Sequence, residues 1–137
     1  RDTVWSYGAA DDGYGIGVIL ETVSLALKNR TEWKQGIKVL FTDAEEPGMK
    51  GMKAIWENNR EVFDNVGLVL NVEARGTWGP TLLFEACPGN AKVQELYACT
   101  AEYPFTYSLT TVVYKFLPMF TDFTIVRMNF LDLISPT

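Results

Sequence analysis

Short apolar, β-rich runs alternate with segments of helical periodicity along this chain, and this alternation constrains the fold more than any other feature. Four apolar residues recur at steps of four, three and four and so share one face of a helix predicted over 13–28: Ile16, Leu20, Val23 and Leu27. The same criteria predict helices over 51–58, 90–103 and 122–128, and strands over 37–41, 66–72, 81–84 and 130–133. Strands that alternate with helices indicate an α/β fold, in which a mostly parallel or mixed central sheet is flanked by helices.

Two of these segments are apolar enough to predict burial. Ile19 and Leu25 widen the apolar surface of the first helix, so we expect that helix to be well buried. The run over 66–72 is almost continuously apolar, as in a strand that is covered on both faces.

The composition supports one folded domain over 1–137 and excludes several kinds of site. Apolar residues make up 47% of the 137 residues, which suits a single domain with a real core. The chain has no histidine, so neither a Ser-His-Asp triad nor a three-histidine zinc site can be built from it alone. A net charge of −5 argues against a nucleic-acid partner. No run approaches the roughly 18–20 apolar residues of a membrane span, so we expect a soluble segment.

Several smaller motifs carry little functional weight. Cys87 and Cys99 lack the CxxC spacing of a metal or redox site. Two free thiols are favoured, and a disulfide between them stays open. Asn29-Arg30-Thr31 matches a glycosylation sequon, a triplet that is common by chance. The glycines at 13, 15 and 17 are spaced GxGxG with no preceding strand, which favours a tight turn and a close helix–sheet contact over a dinucleotide loop.

Acidic residues gather at three boundaries between predicted elements. Asp11-Asp12 precede the first helix, Asp43 and Glu45-Glu46 follow the strand over 37–41, and Glu73 ends the strand over 66–72. The carboxyl ends of strands in a parallel sheet are where sites form, so these carboxylates are expected to share one crevice. Carboxylates that lie close together raise one another's pKa unless a positive charge lies among them, and a divalent cation supplies that charge. The pattern therefore predicts a metal site.

Each acidic motif also has an ordinary explanation. An Asp before a helix is most often an N-cap, and two acids in a turn are usually solvated. Glu73 is harder to explain in this way, because burying an unpaired charge is costly. All the ordinary explanations would have to hold at once, which shifts the balance towards a site.

These motifs resemble those of the zinc-dependent aminopeptidases of peptidase family M28. The segment GAADDGYG at 8–15 resembles the family's GAxDDGSG motif, and FTDAEEPG at 41–48, with Gly51 three residues on, resembles its Glu-Glu motif. NVEARG at 71–76 and GPTLLFE at 79–85 resemble the third metal-ligand strand, in the branch of endoplasmic-reticulum metallopeptidases and bacterial membrane-anchored relatives. Thr121-Asp122-Phe123 resembles a later Ser/Thr-Asp-His/Phe segment.

The resemblance implies a zinc-exopeptidase (phosphorylase/hydrolase-like) architecture, incomplete in this chain, and a site with two zinc ions. By position, Asp11 would bridge both ions, Glu46 would bind one and Glu73 the other. Glu45 would be the general base that takes a proton from the attacking water. Asp12 would support the backbone of Asp11 and orient a ligand from the second layer of the site.

Two histidine ligands of the family have no counterpart in this chain, which holds three of the five ligand positions. Carboxylates alone suit Mg²⁺, Mn²⁺ or Ca²⁺ better than zinc, so we expect the chain itself to bind zinc weakly or not at all. Together with its start at Arg1 and its end in Ser135-Pro136-Thr137, this indicates a segment of a catalytic domain whose activity belongs to the intact protein.

The resulting hypothesis is a metallo-aminopeptidase that hydrolyses peptide bonds at the free N-terminus of a peptide or protein. Membrane contact is expected only through segments outside this chain, in an extracytoplasmic, secreted or membrane-tethered parent. The substrate side chain is unknown, and the aromatic stretch over 103–120 lines either its pocket or the core. Three alternatives stay open: a non-catalytic M28-like interaction domain, a glutaminyl cyclase, and a Mg²⁺-dependent phosphoryl-transfer enzyme. The last ranks low because the chain lacks a basic phosphate cradle.

Overall fold

A computed structural model describes residues 6–74, 79–87, 89–107, 109, 112, 116 and 120–134, with side chains up to Asn129. The α-helices with described bounds are α1 (Tyr14–Lys28), α2 (Lys50–Asn58), α3 (Ala91–Thr100) and α4 (Asp122–Ile134). A turn over Ala9–Gly13, in which Asp11 and Asp12 have non-helical backbone, precedes α1, and 3₁₀ turns follow α1 at Arg30–Glu32 and α2 at Arg60–Phe63. The chain divides into two compact units, Arg1–Thr77 and Trp78–Thr137, which are described separately below. The single domain expected over 1–137 stays a prediction.

The predicted helices are confirmed, but the last one is longer than its sequence pattern suggested. Helices α1, α2 and α3 lie where the periodicity placed them, and α3 ends at Thr100, short of the predicted 103. Helix α4 begins at Asp122 as predicted and continues to Ile134, so the strand predicted over 130–133 is wrong. The sequence from 122 to 134 contains neither Gly nor Pro, and the first helix-breaking residue after it is Pro136.

The predicted α/β sheet, and with it the sheet-based zinc-exopeptidase architecture, is wrong: the part of the chain that the structure describes contains no strand. The apolar runs over 37–41, 66–72 and 81–84 lie outside helices but do not pair into ladders. A β-branched run favours extended backbone, whereas a strand also needs a neighbour with which to exchange backbone hydrogen bonds. In the first unit, a side chain links the run over 37–41 to the residues that follow α2. Lys38 Nζ donates to the carbonyl oxygens of Val62 and Asp64, both at 2.8 Å.

The predicted burial of α1 is also wrong. Its apolar side chains are largely exposed, with Leu20 at 56% and Leu27 at 51% of full exposure, and Gly15 is the buried residue of this helix. Helix α1 contacts the turn over 9–13 that directly precedes it, whereas α2 packs against the 3₁₀ turn at 60–63. Periodicity therefore predicted the helix correctly, but burial required a partner surface that α1 does not have among the described residues.

The buried side chains of the first unit lie around α2. Met49, Met52 and Phe63 are buried, and the ring of Phe63 lies 5.1 Å from that of Trp56, centroid to centroid. The guanidinium of Arg60 lies over the ring of Trp56, 4.7 Å from its centroid. These contacts hold α2 in place. The acidic loop, residues 43–46, is attached to the start of α2 by backbone hydrogen bonds.

The second unit is held by hydrogen bonds between α3, α4 and the segments beside them. The hydroxyl of Tyr97 accepts the N–H of Phe105 at 2.9 Å, and the N–H of Leu83 donates to the carbonyl of Phe105 at 3.0 Å. Arg127 forms an ion pair with Glu85. Thr124 and Val126 are buried on α4.

The two cysteines are free thiols in this structure, and they belong to the second unit. Burial raises the pKa of the Cys87 thiol and the negative charge of Glu85 adds to the rise, while the positive charge of Arg127 opposes it. A raised pKa reduces the thiolate fraction at neutral pH, and the thiolate is the reactive form. No helix in the described ranges is both long and apolar enough to cross a membrane.

Candidate metal and active site

The first acidic motif lies in the turn that leads into α1. The N–H of Gly13 donates to the carbonyl of Gly8 at 2.8 Å, which closes this turn. A carboxylate oxygen of Asp12 accepts the N–H of Gly15 at 3.0 Å, so it satisfies one of the unpaired amides at the start of the helix. The ordinary capping explanation therefore applies to Asp12, whereas Asp11 is exposed.

The absence of a side chain at Gly15 allows Asp12 to lie against the helix. A β-carbon at position 15 would stand 2.4 Å from both carboxylate oxygens of Asp12, whereas one at Gly17 would meet no atom within 4 Å. The close helix–sheet contact predicted for this glycine-rich segment is wrong, because the described residues form no sheet, and the close contact is instead between Gly15 and the Asp12 carboxylate. The glycine spacing gave a signal for close packing but did not identify the partner.

The carboxylates of Asp12 and Glu73 lie in surroundings that disfavour their charged forms. Burial raises the pKa of Asp12 and the charge of Asp11 adds to the rise, while the hydrogen bond from Gly15 opposes it. Partial burial likewise raises the pKa of Glu73, although much of this residue is exposed. The hydrogen bond from the N–H of Ala74 to the Glu73 carboxylate, at 3.0 Å, lowers that pKa in part.

The charges of Asp12 and Asp11 also raise the pKa of Glu73. The fold of the first unit thus brings two acidic motifs that are distant in sequence within electrostatic range of each other. Like charges at such range raise the free energy of the state in which all of them are ionised. This is the electrostatic arrangement that a bound cation relieves.

The second acidic motif lies in a loop that is wound onto the start of α2. The N–H of Met49 donates to the carbonyl of Glu45 at 2.6 Å, and the N–H of Lys50 donates to that of Ala44 at 2.9 Å. Ala44 and Met49 have left-handed backbone, with φ of 51° and 58°. Such φ values cost energy for residues with a β-carbon and persist where the surroundings impose them.

Glu45 and Glu46 differ in their surroundings within this loop. Glu45 is half-buried, whereas Glu46 is exposed. The described contacts do not join Glu46 to Asp11 or Glu73. The charges of Asp11 and Asp12 act on Glu73, and the roles of these three residues and of Glu45 and Glu46 stay predictions.

The residues present do not fit a zinc ion by themselves. Within the described ranges, no group of three His, Cys, Asp or Glu side chains is arranged to hold a metal ion. The predicted ligands Asp11, Glu46 and Glu73 offer only carboxylate oxygens, whereas zinc sites in proteins combine nitrogen or sulfur ligands with them. A complete zinc site would need donors from outside this chain.

Other parts of the predicted site are described incompletely or not at all. Arg75 and Gly76 of the third motif lie outside the described residues, as does much of the aromatic stretch over 103–120. The described aromatic side chains of that stretch include several that are largely exposed: Tyr103, Tyr107, Phe116 and Phe120. Asp122, from the last resembling segment, is buried at the start of α4 in the second unit.

We expect Glu73→Gln to flatten the pH dependence of stability in the metal-free protein. A carboxyl whose pKa is raised by folding keeps its proton in the folded state after the unfolded state has lost it. Stability therefore falls as the pH rises from the unfolded pKa, 4.5 for Glu, to the higher folded pKa. Glutamine at position 73 removes this loss, so the free energy of unfolding should decline less between about pH 4 and pH 7.

Urea unfolding at a series of pH values measures this effect. The same substitution at exposed Glu57 on α2 serves as the matched control. A Glu73→Gln profile that runs parallel to the wild-type profile would contradict the expectation.

Comparison with known proteins identifies the class to which this acidic arrangement belongs. The sequence profile of peptidase family M28 matches residues 2–134, so the chain belongs to this family.

Individual relatives have names that agree with this assignment. The chain is 27% identical over 129 residues to "Endoplasmic reticulum metallopeptidase 1" of Mus musculus, an alignment that covers 89% of this chain and 14% of that protein. It is 32% identical over 99 residues to "Vacuolar membrane protease" of Verticillium alfalfae, covering 72% of this chain and 9% of that protein. The chain thus spans a small part of the curated relatives it matches. No solved structure is significantly similar to it.

Proposed function

We propose that this chain is part of the catalytic domain of a zinc metallo-aminopeptidase, which removes residues from the free N-terminus of peptides or proteins. Membership of peptidase family M28 and the metallopeptidase names of the relatives support a metal-dependent peptidase. The aminopeptidase specificity and the identity of the metal as zinc rest on the resemblance of the acidic motifs.

The observation that carries the proposal is the electrostatic interaction of Glu73 with the Asp11-Asp12 turn, whose charges raise the pKa of Glu73. Burial and the two Asp charges all act against the ionised form of Glu73. A bound cation would relieve this repulsion and would thereby stabilise the folded chain. Capping accounts for Asp12, and Asp11 and Glu73 are exposed, so the order of the acidic motifs and the family assignment support the proposal together with this interaction.

Within the proposed site, each carboxylate has a separate task. Asp11, Glu46 and Glu73 would hold metal, together with donors supplied from outside this chain. Asp12, held by the N–H of Gly15, would keep the Asp11 backbone in place. Glu45 would accept a proton from the attacking water and pass it to the leaving amine, as a general acid–base residue does.

The relatives also support a location for the intact protein. Their names place them in the endoplasmic reticulum and in the vacuolar membrane. We propose an extracytoplasmic parent protein that is tethered to a membrane by segments outside this chain.

The test is an assay of the intact protein on matched peptides with free and acetylated N-termini. We expect the free peptides to lose their N-terminal residue and the acetylated peptides to stay intact. Chelation should abolish the activity and added Zn²⁺ should restore it. Internal cleavage of the acetylated peptides would contradict the aminopeptidase assignment. Cyclisation of N-terminal Gln peptides without hydrolysis would indicate a glutaminyl cyclase, and no metal-dependent turnover would indicate a non-catalytic domain.

A further inference from the structure

We propose that Gly51 is a positioning residue for the acidic loop, defined here as residues 43–46. The lack of a side chain at Gly51 lets the backbone of Asp43 pack directly against the first turn of α2. Helix α2 thereby fixes the backbone from which Glu45 and Glu46 project. The catalytic consequence of this role rests on the function proposed above, but the structural role does not.

The geometry at Gly51 leaves no space for a β-carbon. Such a carbon would stand 2.4 Å from the carbonyl oxygen of Asp43, 2.9 Å from its backbone nitrogen and 2.7 Å from a carboxylate oxygen. Real β-carbons essentially never approach another atom to within 3.0 Å. Two of the three atoms belong to the backbone, so a rotation of the Asp43 side chain cannot relieve the contact.

The contact lies at one end of a series of backbone hydrogen bonds between the acidic loop and α2. The N–H of Gly51 donates to the carbonyl of Asp43 at 3.2 Å, next to the bonds from Lys50 to Ala44 and from Met49 to Glu45. A displacement at Asp43 must therefore disturb the bonds that hold Ala44 and Glu45. The loop carries the proposed base and a proposed ligand, so its backbone sets where both carboxylates lie.

Helix propensity alone would favour alanine at this position. Alanine stabilises a helix interior relative to glycine by about 1 kcal/mol. Gly51 lies in the first turn of α2 and not in its interior, so this value is an upper bound for position 51, and the contact with Asp43 gives a reason for the glycine. Gly17 in α1 is the matched control, because a β-carbon there would meet no atom within 4 Å.

The experiment compares Gly51→Ala with Gly17→Ala in the intact protein, using amide hydrogen exchange and steady-state kinetics. We expect Gly51→Ala to lose protection at the amides of residues 49–51 and to lower kcat about tenfold or more, with KM nearly unchanged. Gly17→Ala should retain both properties. A general loss of stability would lower the midpoint of thermal unfolding without this selective loss of protection and kcat.

Two outcomes would overturn the proposal, and neither depends on peptidase activity. The first is wild-type amide protection at residues 49–51 in Gly51→Ala. If that variant does not fold, amide exchange of the wild-type protein decides, because the proposal requires the N–H groups of Met49, Lys50 and Gly51 to be protected by their bonds to residues 43–45. Unprotected amides at these three positions in the wild type are the second outcome. A wild-type protein without peptidase activity would contradict the proposed function, while the exchange data would still test Gly51.

Discussion

Replacing Glu45 with Gln in the intact protein is expected to abolish turnover, lowering kcat by about 10²–10⁴-fold, while the metal content stays near that of the wild type. Glutamine has nearly the shape of glutamate but cannot accept a proton at neutral pH. If Glu45 is the general base, the substitution removes the proton transfer and leaves the loop and the metal ligands in place. The measurements are kcat on an N-terminally free peptide and metal content by elemental analysis.

The same substitution at the neighbouring Glu46 provides the comparison that separates the base from the metal ligand. Glu46→Gln removes a proposed ligand and should lower the metal content, so the two variants separate the base from the ligand. Glu57→Gln on the exposed surface of α2 is the control for the chemical change itself and should keep both values. A normal kcat in Glu45→Gln would show that the base assignment is wrong.

Replacing Phe63 with Ala is expected to lower the free energy of unfolding by about 3 kcal/mol. Phe63 is one of the few side chains in the first unit that are almost fully buried, with 6% exposure. It contacts the ring of Trp56 at a centroid distance of 5.1 Å, so truncation removes an aromatic contact and leaves a cavity. Because α2 carries the acidic loop, this loss should also loosen the loop.

Urea unfolding followed by tryptophan fluorescence measures the change. Phe41→Ala is the matched control, because Phe41 is 49% exposed and its truncation should change the stability by no more than about 0.5 kcal/mol. Equal losses in the two variants would contradict the assignment of the buried cluster around α2.

The helices were the predictable part of the fold because their signal is local. The repeat of apolar residues in 13–28 depends on neighbours three and four positions away, which a single sequence displays. The strands failed for the opposite reason. An apolar run such as 66–72 shows a preference for extended backbone, but whether it pairs depends on a distant segment. The run over 130–133 shows a second source of error, since a short apolar run at the end of a helix is easily mistaken for a strand.

The residues of the candidate site were predictable from the sequence, but their contacts were not. The acidic motifs and their order along the chain were visible in the sequence, and the family assignment agrees with them. The contacts were not visible: that Asp12 caps α1, that Gly15 makes room for it, and that Glu73 lies within range of both Asp residues. Periodicity also overestimated the burial of α1, because an apolar face indicates what a helix can bury and not what covers it.

The sequence by itself determined which segments are helical, which acids are candidates for chemistry, and that histidine must come from elsewhere if the site binds zinc. Only the tertiary structure decided which of those acids lie close together, which surfaces are buried, and that the described apolar runs do not form a sheet. The physical reason is range. Helix periodicity and side-chain chemistry are properties of nearby residues, whereas electrostatic proximity, burial and strand pairing depend on where distant parts of the chain meet.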